Sequence, residues 1–216
     1  MRGIVDRVDG YKSGDKLYLR VIDYKTGKKT LNLTEVLHGR DMQMLIYLFT
    51  LQYFGRELYA EDTVPVGVLY IPARDVIIKA PRNASEEEIS KMREKELKRA
   101  GLILSDPDVI EAMENGAEKK YLPVKYAKDG SATGDSLATS EQISLLSTHV
   151  NNMLRRAAEE ILDGSIDCKP YYKNINDNAC RYCEYSTVCA FDEDMGDRRR
   201  FIPKMRAADV WEALEN

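Results

Sequence analysis

Asp23 and Lys25 stand two residues apart in the run LYLRVIDYK, and on a β-strand that spacing sends both side chains off one face. Asp6, in the preceding run GIVDRVD, can come beside them if the two runs pair as a hairpin. Two carboxylates meeting at a strand end make an oxygen-rich site for Mg²⁺ or Mn²⁺; Mg²⁺ takes one or two protein carboxylates and keeps several waters. Such a cation polarises a phosphate ester and lowers the pKa of a bound water, while a neighbouring lysine orients that water or offsets developing charge. D-x-K alone is common on surfaces. Here Asp23 follows Val21 and Ile22 at the end of a strand apolar on both faces, where an unpaired carboxylate is costly. Gln43 and Tyr47, one helical turn apart, share a face that a strand–strand–helix order can bring to the same place. The competing reading makes Tyr47 core and Gln43 a half-exposed amide.

Cys180, Cys183 and Cys189 form a C-x₂-C-x₅-C group, and Cys168 lies upstream of it. Closely spaced thiolates suit iron–sulfur clusters or zinc, and four cysteines can make a complete zinc site. The first residues, MRGIVDRVDG, carry no signal-peptide pattern, so a reducing cytoplasm is expected, where metal binding outweighs disulfides. His38 and His149 lie at no metal-type spacing from a cysteine or the acidic pair and read as structural or exposed. Arg198, Arg199 and Arg200 read as a solvated tail, and no G-x-x-x-x-G-K-[ST] loop is present to cradle ATP.

The elements that must position these residues can be read from periodicity and punctuation. Strands are predicted over 3–11 and 16–26, joined at Lys12-Ser13-Gly14-Asp15, and a helix over 39–54. Further strands are predicted over 64–72 and 75–80, with Pro65 and Pro72 marking boundaries or edges. Ser85 and Glu88 open a charged helix that Gly101 closes; Asp106-Pro107 opens a short one ending near Gly116. A small hairpin turns at Asp129-Gly130. Ile143, Leu146, Val150, Leu154, Ala157 and Ile161 recur at helical spacing over 140–163, before a Gly164 stop. The fifty residues beyond lack periodicity. This predicts an α/β core over 1–164 and a cysteine-rich segment over 165–216.

Composition bounds the partners. With 31% charged residues and no long apolar run, a membrane span is excluded. The net charge of −4 gives no global pull on nucleic acid, yet residues 1–40 hold nine Lys/Arg against five Asp/Glu. That local excess is compatible with DNA and equally with a solvated surface.

Taken in order, GIVDRVD, VIDYKTG and QMLIY resemble the nuclease domain of the RecB family within the PD-(D/E)XK superfamily, and more narrowly its AddB/RexB branch. The resemblance extends through AGLILSDPDVIEAME to ACRYCEYSTVCAFD. It implies a mixed central sheet flanked by helices and Mg²⁺-dependent hydrolysis of DNA. Asp6 and Asp23 match the metal-binding acidic positions, the Tyr24 carbonyl a backbone metal ligand, and Lys25 the catalytic lysine. Gln43 and Tyr47 match the helix motif that follows. It further implies an AddA-like helicase–nuclease subunit as partner, which would own the use of ATP, and a role at double-strand-break ends in recombinational repair. Cys180, Cys183 and Cys189 match ligands of a [4Fe–4S] cluster completed by a cysteine far upstream, leaving Cys168 a lone thiol and the cluster incomplete within these residues. The family's helix before the first motif strand is missing here, which points to a piece of a longer protein. A non-catalytic module that binds DNA ends or docks a subunit is the alternative.

Overall fold

The computed structural model describes residues 3–115 and 119–215. The chain runs β1 (Arg7–Ser13), β2 (Lys16–Lys25), α1 (Leu33–Leu37), α2 (Gln43–Tyr53), α3 (Gly55–Tyr59) and β3 (Asp62–Pro72). There follow α4 (Glu86–Glu96), β4 (Ala100–Leu104), α5 (Pro107–Met113), the hairpin β5 (Lys125–Tyr126) and β6 (Ala132–Thr133), β7 (Leu137–Ala138) and α6 (Ser140–Leu162). The remainder holds β8 (Tyr171–Asn174), β9 (Asp177–Asn178), α7 (Ser186–Cys189), β10 (Arg200–Phe201) and α8 (Ala207–Glu215). Two compact units result, Met1–Leu31 with Asp41–Ser147 and Asn32–Arg40 with Thr148–Asn216.

In the first unit a mixed sheet runs in the order β1-β2-β3-β4-β7. β1 and β2 are antiparallel about a Gly14-Asp15 turn, where Gly14 takes a positive φ. β2 and β3 are parallel, and β3 is antiparallel to β4. From Pro65 to Tyr70 every residue of β3 is buried, so both faces of the sheet are covered. α2 packs on β2 and β3 through Leu45, Leu48 and Phe49. Burying such aliphatic side chains contributes about 1.5–3 kcal/mol each.

Pro65, expected at a strand boundary, lies inside β3. The pairing with β2 slips there, from Leu19 opposite Pro65 to Arg20 opposite Gly67, and this bulge accommodates a residue with no N–H to donate. The strand predicted over 75–80 is absent: that segment has no ladder partner and Ile77 is 86% exposed. The sheet position goes instead to β4, which contains Gly101, the residue expected to stop a helix. A Cβ on Gly101 would sit 2.0 Å from the Val68 carbonyl oxygen, at φ +149°, so only glycine lets β4 approach β3. Residues 3–6 precede β1 rather than belonging to it. α1 and α3 have no counterpart among the predicted elements.

Local signals fared well. Ser85 and Glu88 form both halves of a capping box on α4, which ends at Glu96. Asp106 accepts from the N–H groups of Asp108 and Val109 at the start of α5. The expected stop at Gly116 lies outside the described residues, and α5 ends at Met113. β5 and β6 turn at Asp129-Gly130, and α6 ends before Gly164 at φ +69°. Its apolar stripe is buried at Ile143, Leu146 and Val150 but not at Ile161, which is 77% exposed.

The second unit holds a small sheet in the order β10-β8-β9 and the packing of α1 against α8. Val36, Val150, Ile202 and Val210 are its most buried side chains. Lys173 bridges Glu35 and Asp177 at 2.7 Å each, and Arg40 stacks on Tyr171 with 3.6 Å to the ring centre. Among the described residues no helix is long and apolar enough to cross a membrane.

Candidate active site

Asp23 and Lys25 lie in the last three residues of β2 and leave the same face, as their parity requires. Lys25 Nζ is 2.5 Å from Asp23 Oδ2. That oxygen is closed off from solvent and receives no hydrogen bond of good geometry, so the ion pair is its one close polar contact. A carboxylate oxygen in this state lacks the donors that normally repay its desolvation.

Asp6 stands one residue before β1, and its Oδ2 accepts a hydrogen bond from the Tyr24 backbone N–H at 3.1 Å. The β1–β2 ladder ends with Arg7 opposite Ile22, and Asp6, just beyond that end, reaches the backbone next to Asp23. In a strand the N–H and C=O of one residue leave the same edge, so the Tyr24 carbonyl also faces the Asp6 side. Consistently, the Lys25 carbonyl faces the other way and accepts from Ala73 N–H at 2.9 Å. Asp9, three residues on, has a different task. It is clamped by Arg7 at 2.6 Å and Arg20 at 2.7 Å. Burial pushes its carboxyl pKa up, but the two guanidiniums outweigh that and hold it below the ordinary value.

Gln43 Nε2 donates to the Tyr47 hydroxyl at 3.0 Å, so these two form a pair on α2. The Tyr47 ring presses on Gly3, where a Cβ would lie 2.5 Å from Cε1. α2 therefore holds the segment leading into Asp6, although neither side chain makes a hydrogen bond to Asp6, Asp23 or Lys25.

Tyr70 and Asp41 escaped sequence reasoning. Tyr70 pairs across the ladder from Asp23 and is 4% exposed. Burial, with Asp41 and Asp23 nearby, pushes its hydroxyl pKa up, so it stays a neutral donor. Asp41 takes φ +54°, an uncommon conformation for a residue other than glycine, and pairs with Lys29 at 2.7 Å. The one available signal was a lone tyrosine in the otherwise aliphatic VPVGVLYIP; nothing local marked Asp41.

Among the described residues no group of three or more His, Cys, Asp or Glu is gathered to hold a metal. Asp6, Asp23 and the Tyr24 carbonyl still fit a hard cation that retains several waters, since Asp23 Oδ2 is buried with the Lys25 ammonium as its close partner and no hydrogen bond of good geometry. The cysteines fit a cluster less well. Cys180 and Cys183 are joined by a backbone turn, Cys183 N–H donating to the Cys180 carbonyl, but the thiols are not gathered into a ligand set. Cys168 is not a lone thiol: its Sγ lies 3.1 Å from Cys189 Sγ, which pushes its pKa up to about 11.

The other candidates lie in the second unit. His149 reaches the Val36 carbonyl with Nε2 at 3.1 Å. His38 Nε2 is buried without a partner, and burial followed by Arg200 and His149 lowers its pKa. In place of the solvated tail expected, Arg199 pairs with Glu193 at 2.8 Å and lies over Tyr172, and Arg200 is in β10, while Arg198 is exposed.

Compared with known proteins, the family model of the PD-(D/E)XK nuclease superfamily matches residues 1–190. The chain is 37% identical over 219 residues to the B subunit of the ATP-dependent helicase/deoxyribonuclease of Thermoanaerobacter sp. (strain X514). It is 39% identical over 215 residues to the protein so named from Clostridium novyi (strain NT), and 37% over 219 to that from Clostridium acetobutylicum. The alignments cover 99%, 98% and 100% of this chain but 19% of each relative, so the chain spans about a fifth of their length.

Proposed function

The chain belongs to the PD-(D/E)XK nuclease superfamily, and on that premise we propose that it is a metal-dependent deoxyribonuclease domain hydrolysing DNA phosphodiesters. Within a complete protein it would serve a helicase–nuclease complex that trims double-strand-break ends, with a helicase subunit as partner and ATP user. The observation that carries this reading is the convergence on one strand end of Asp6, bonded to the backbone between Asp23 and Lys25, with a buried Asp23 oxygen beside the Lys25 ammonium.

A divalent cation held by Asp6, Asp23 and the Tyr24 carbonyl would polarise the scissile phosphate and make its attacking water a stronger nucleophile. Lys25, held beside Asp23, stands where it can orient that water and offset the negative charge that builds on the phosphate oxygens. Tyr70, kept neutral on the same face, serves as a fixed hydrogen-bond donor near the carboxylates. Gln43 and Tyr47 act as positioning residues, bracing the approach to Asp6.

The test is Mg²⁺- or Mn²⁺-dependent cleavage of end-labelled linear DNA by the full chain and by the assembled complex, wild type against Asp23→Ala. A loss of about 10²–10³-fold in rate on one strand is expected, the scale seen when one pre-positioned electrostatic interaction is removed. Unchanged degradation of both strands would overturn the reading.

A further inference from the structure

Next to Lys25 the first unit carries a cavity of about 170 Å³ whose lining is strongly cationic. The loop after β2 supplies Lys28 and Lys29, Arg74 follows β3, and the end of α4 supplies Lys95 and, just beyond it, Lys98. Glu96 is its one anionic lining residue.

The cations are only partly neutralised: Lys25 pairs with Asp23 and Lys29 with Asp41, so the six lining cations share three carboxylates, Glu96 being the third. Glu96 is shared, at 3.2 Å from both Lys28 and Arg74. Among the described residues Lys98 donates to the Val124 carbonyl, at 3.3 Å, and neither Lys98 nor Lys95 is paired with a carboxylate. The carbonyl end of α4 adds a partial negative charge of roughly half a unit, which does not balance them. Like charges brought together with too few counter-charges repel, so a bound anion would be favoured there.

We propose that this cavity binds the phosphodiester backbone of a single DNA strand on its way to the carboxylates. The inference rests on the nuclease reading above and adds to it the surface that feeds the site. Lys25 belongs to both the cavity wall and the carboxylate pair, so a strand in the groove is continuous with the reacting position. The volume corresponds to about six waters' share of liquid, room for a phosphate and its hydration but not a base pair. The lining has no exposed aromatic ring: Tyr70 is 4% exposed. Bases therefore cannot stack there, and recognition is by phosphate charge without sequence preference.

The experiment is fluorescence anisotropy of a labelled oligothymidylate with the full chain in EDTA, over a KCl series. Wild type is compared with Lys28→Ala/Lys95→Ala and with Asp23→Ala. Both lysines are exposed, so the double variant should keep its circular dichroism and melting temperature. Its slope of log K against log [salt] should fall by about 0.7 for each phosphate no longer neutralised, about 1.4 for the pair. An unchanged affinity and slope overturn the groove, as does equal displacement of the strand by inorganic phosphate or by polyglutamate at matched charge. If Asp23→Ala still cleaves in the Mg²⁺ cleavage assay described above while the double variant loses binding in EDTA, the groove stands and the catalytic reading falls. If Asp23→Ala stops cleavage while the double variant binds normally, the groove alone falls.

Discussion

Replacing Asp23 with asparagine should separate function from stability. The side chain is nearly isosteric, so packing beneath β2 is unchanged. In the native protein Asp23 Oδ2 is buried without a hydrogen bond of good geometry, a state that costs about 1–3 kcal/mol before its ion pair is counted. Its ion pair with Lys25 returns at most about 1 kcal/mol, since that lysine is 37% exposed and screened by water. A neutral amide is cheaper to bury than a carboxylate. In EDTA the variant should thus be as stable as wild type or more stable by up to about 2 kcal/mol, raising the melting temperature by about 2–4 °C per kcal/mol in a domain of this size. Adding Mg²⁺ reverses the order. A ligand at a hundred times its Kd stabilises by about 2.7 kcal/mol, and only the wild type should gain it. Thermal melts followed by circular dichroism, with EDTA and with MgCl₂, read both effects. A fall in melting temperature of more than about 4 °C in EDTA would mean that the carboxylate serves the fold. Equal Mg²⁺ stabilisation of both proteins would mean that Asp23 holds no cation.

Gly67→Ala should cost more than about 2 kcal/mol, because φ is +146° and the new Cβ would lie 2.4 Å from the Leu102 carbonyl oxygen. Gly130→Ala, at φ +82° with nothing within 4 Å, should cost about 1 kcal/mol; urea midpoints compare the two. The Cys168 thiol, raised from 9.0 to about 11 by its proximity to Cys189, should need higher pH for alkylation than an ordinary thiol, read by iodoacetamide labelling and mass spectrometry. For the same reason the folded state holds this proton more tightly than the unfolded one. The contribution to stability is full below pH 9 and is lost as pH rises towards 11. Cys189→Ser should move both transitions downward; labelling of Cys168 at an ordinary thiol pH in the native protein would refute the pairing.

Where chemistry depends on neighbours a few residues apart, the residues alone were sufficient. Parity put Asp23 and Lys25 on one face, helical spacing paired Gln43 with Tyr47, and the capping residues Ser85 and Asp106 stood where α4 and α5 begin. These are short-range consequences of the 2.0 and 3.6 residue periods and of orphaned N–H groups at helix ends. Long-range pairing was decided only by the tertiary structure. DVIIKA has the apolar content of a strand, yet AGLIL took the place beside β3 because its glycine fits against the Val68 carbonyl. Asp6 and Asp9 are both acidic residues near the start of β1, and only the positions of Arg7 and Arg20 make one of them structural. Tyr70, Asp41, the Cys168–Cys189 pair and the cationic groove likewise join residues far apart in the chain. Local periodicity carries no information about which partner a strand or side chain will meet across the sheet, because that choice is made by the packing of the whole core.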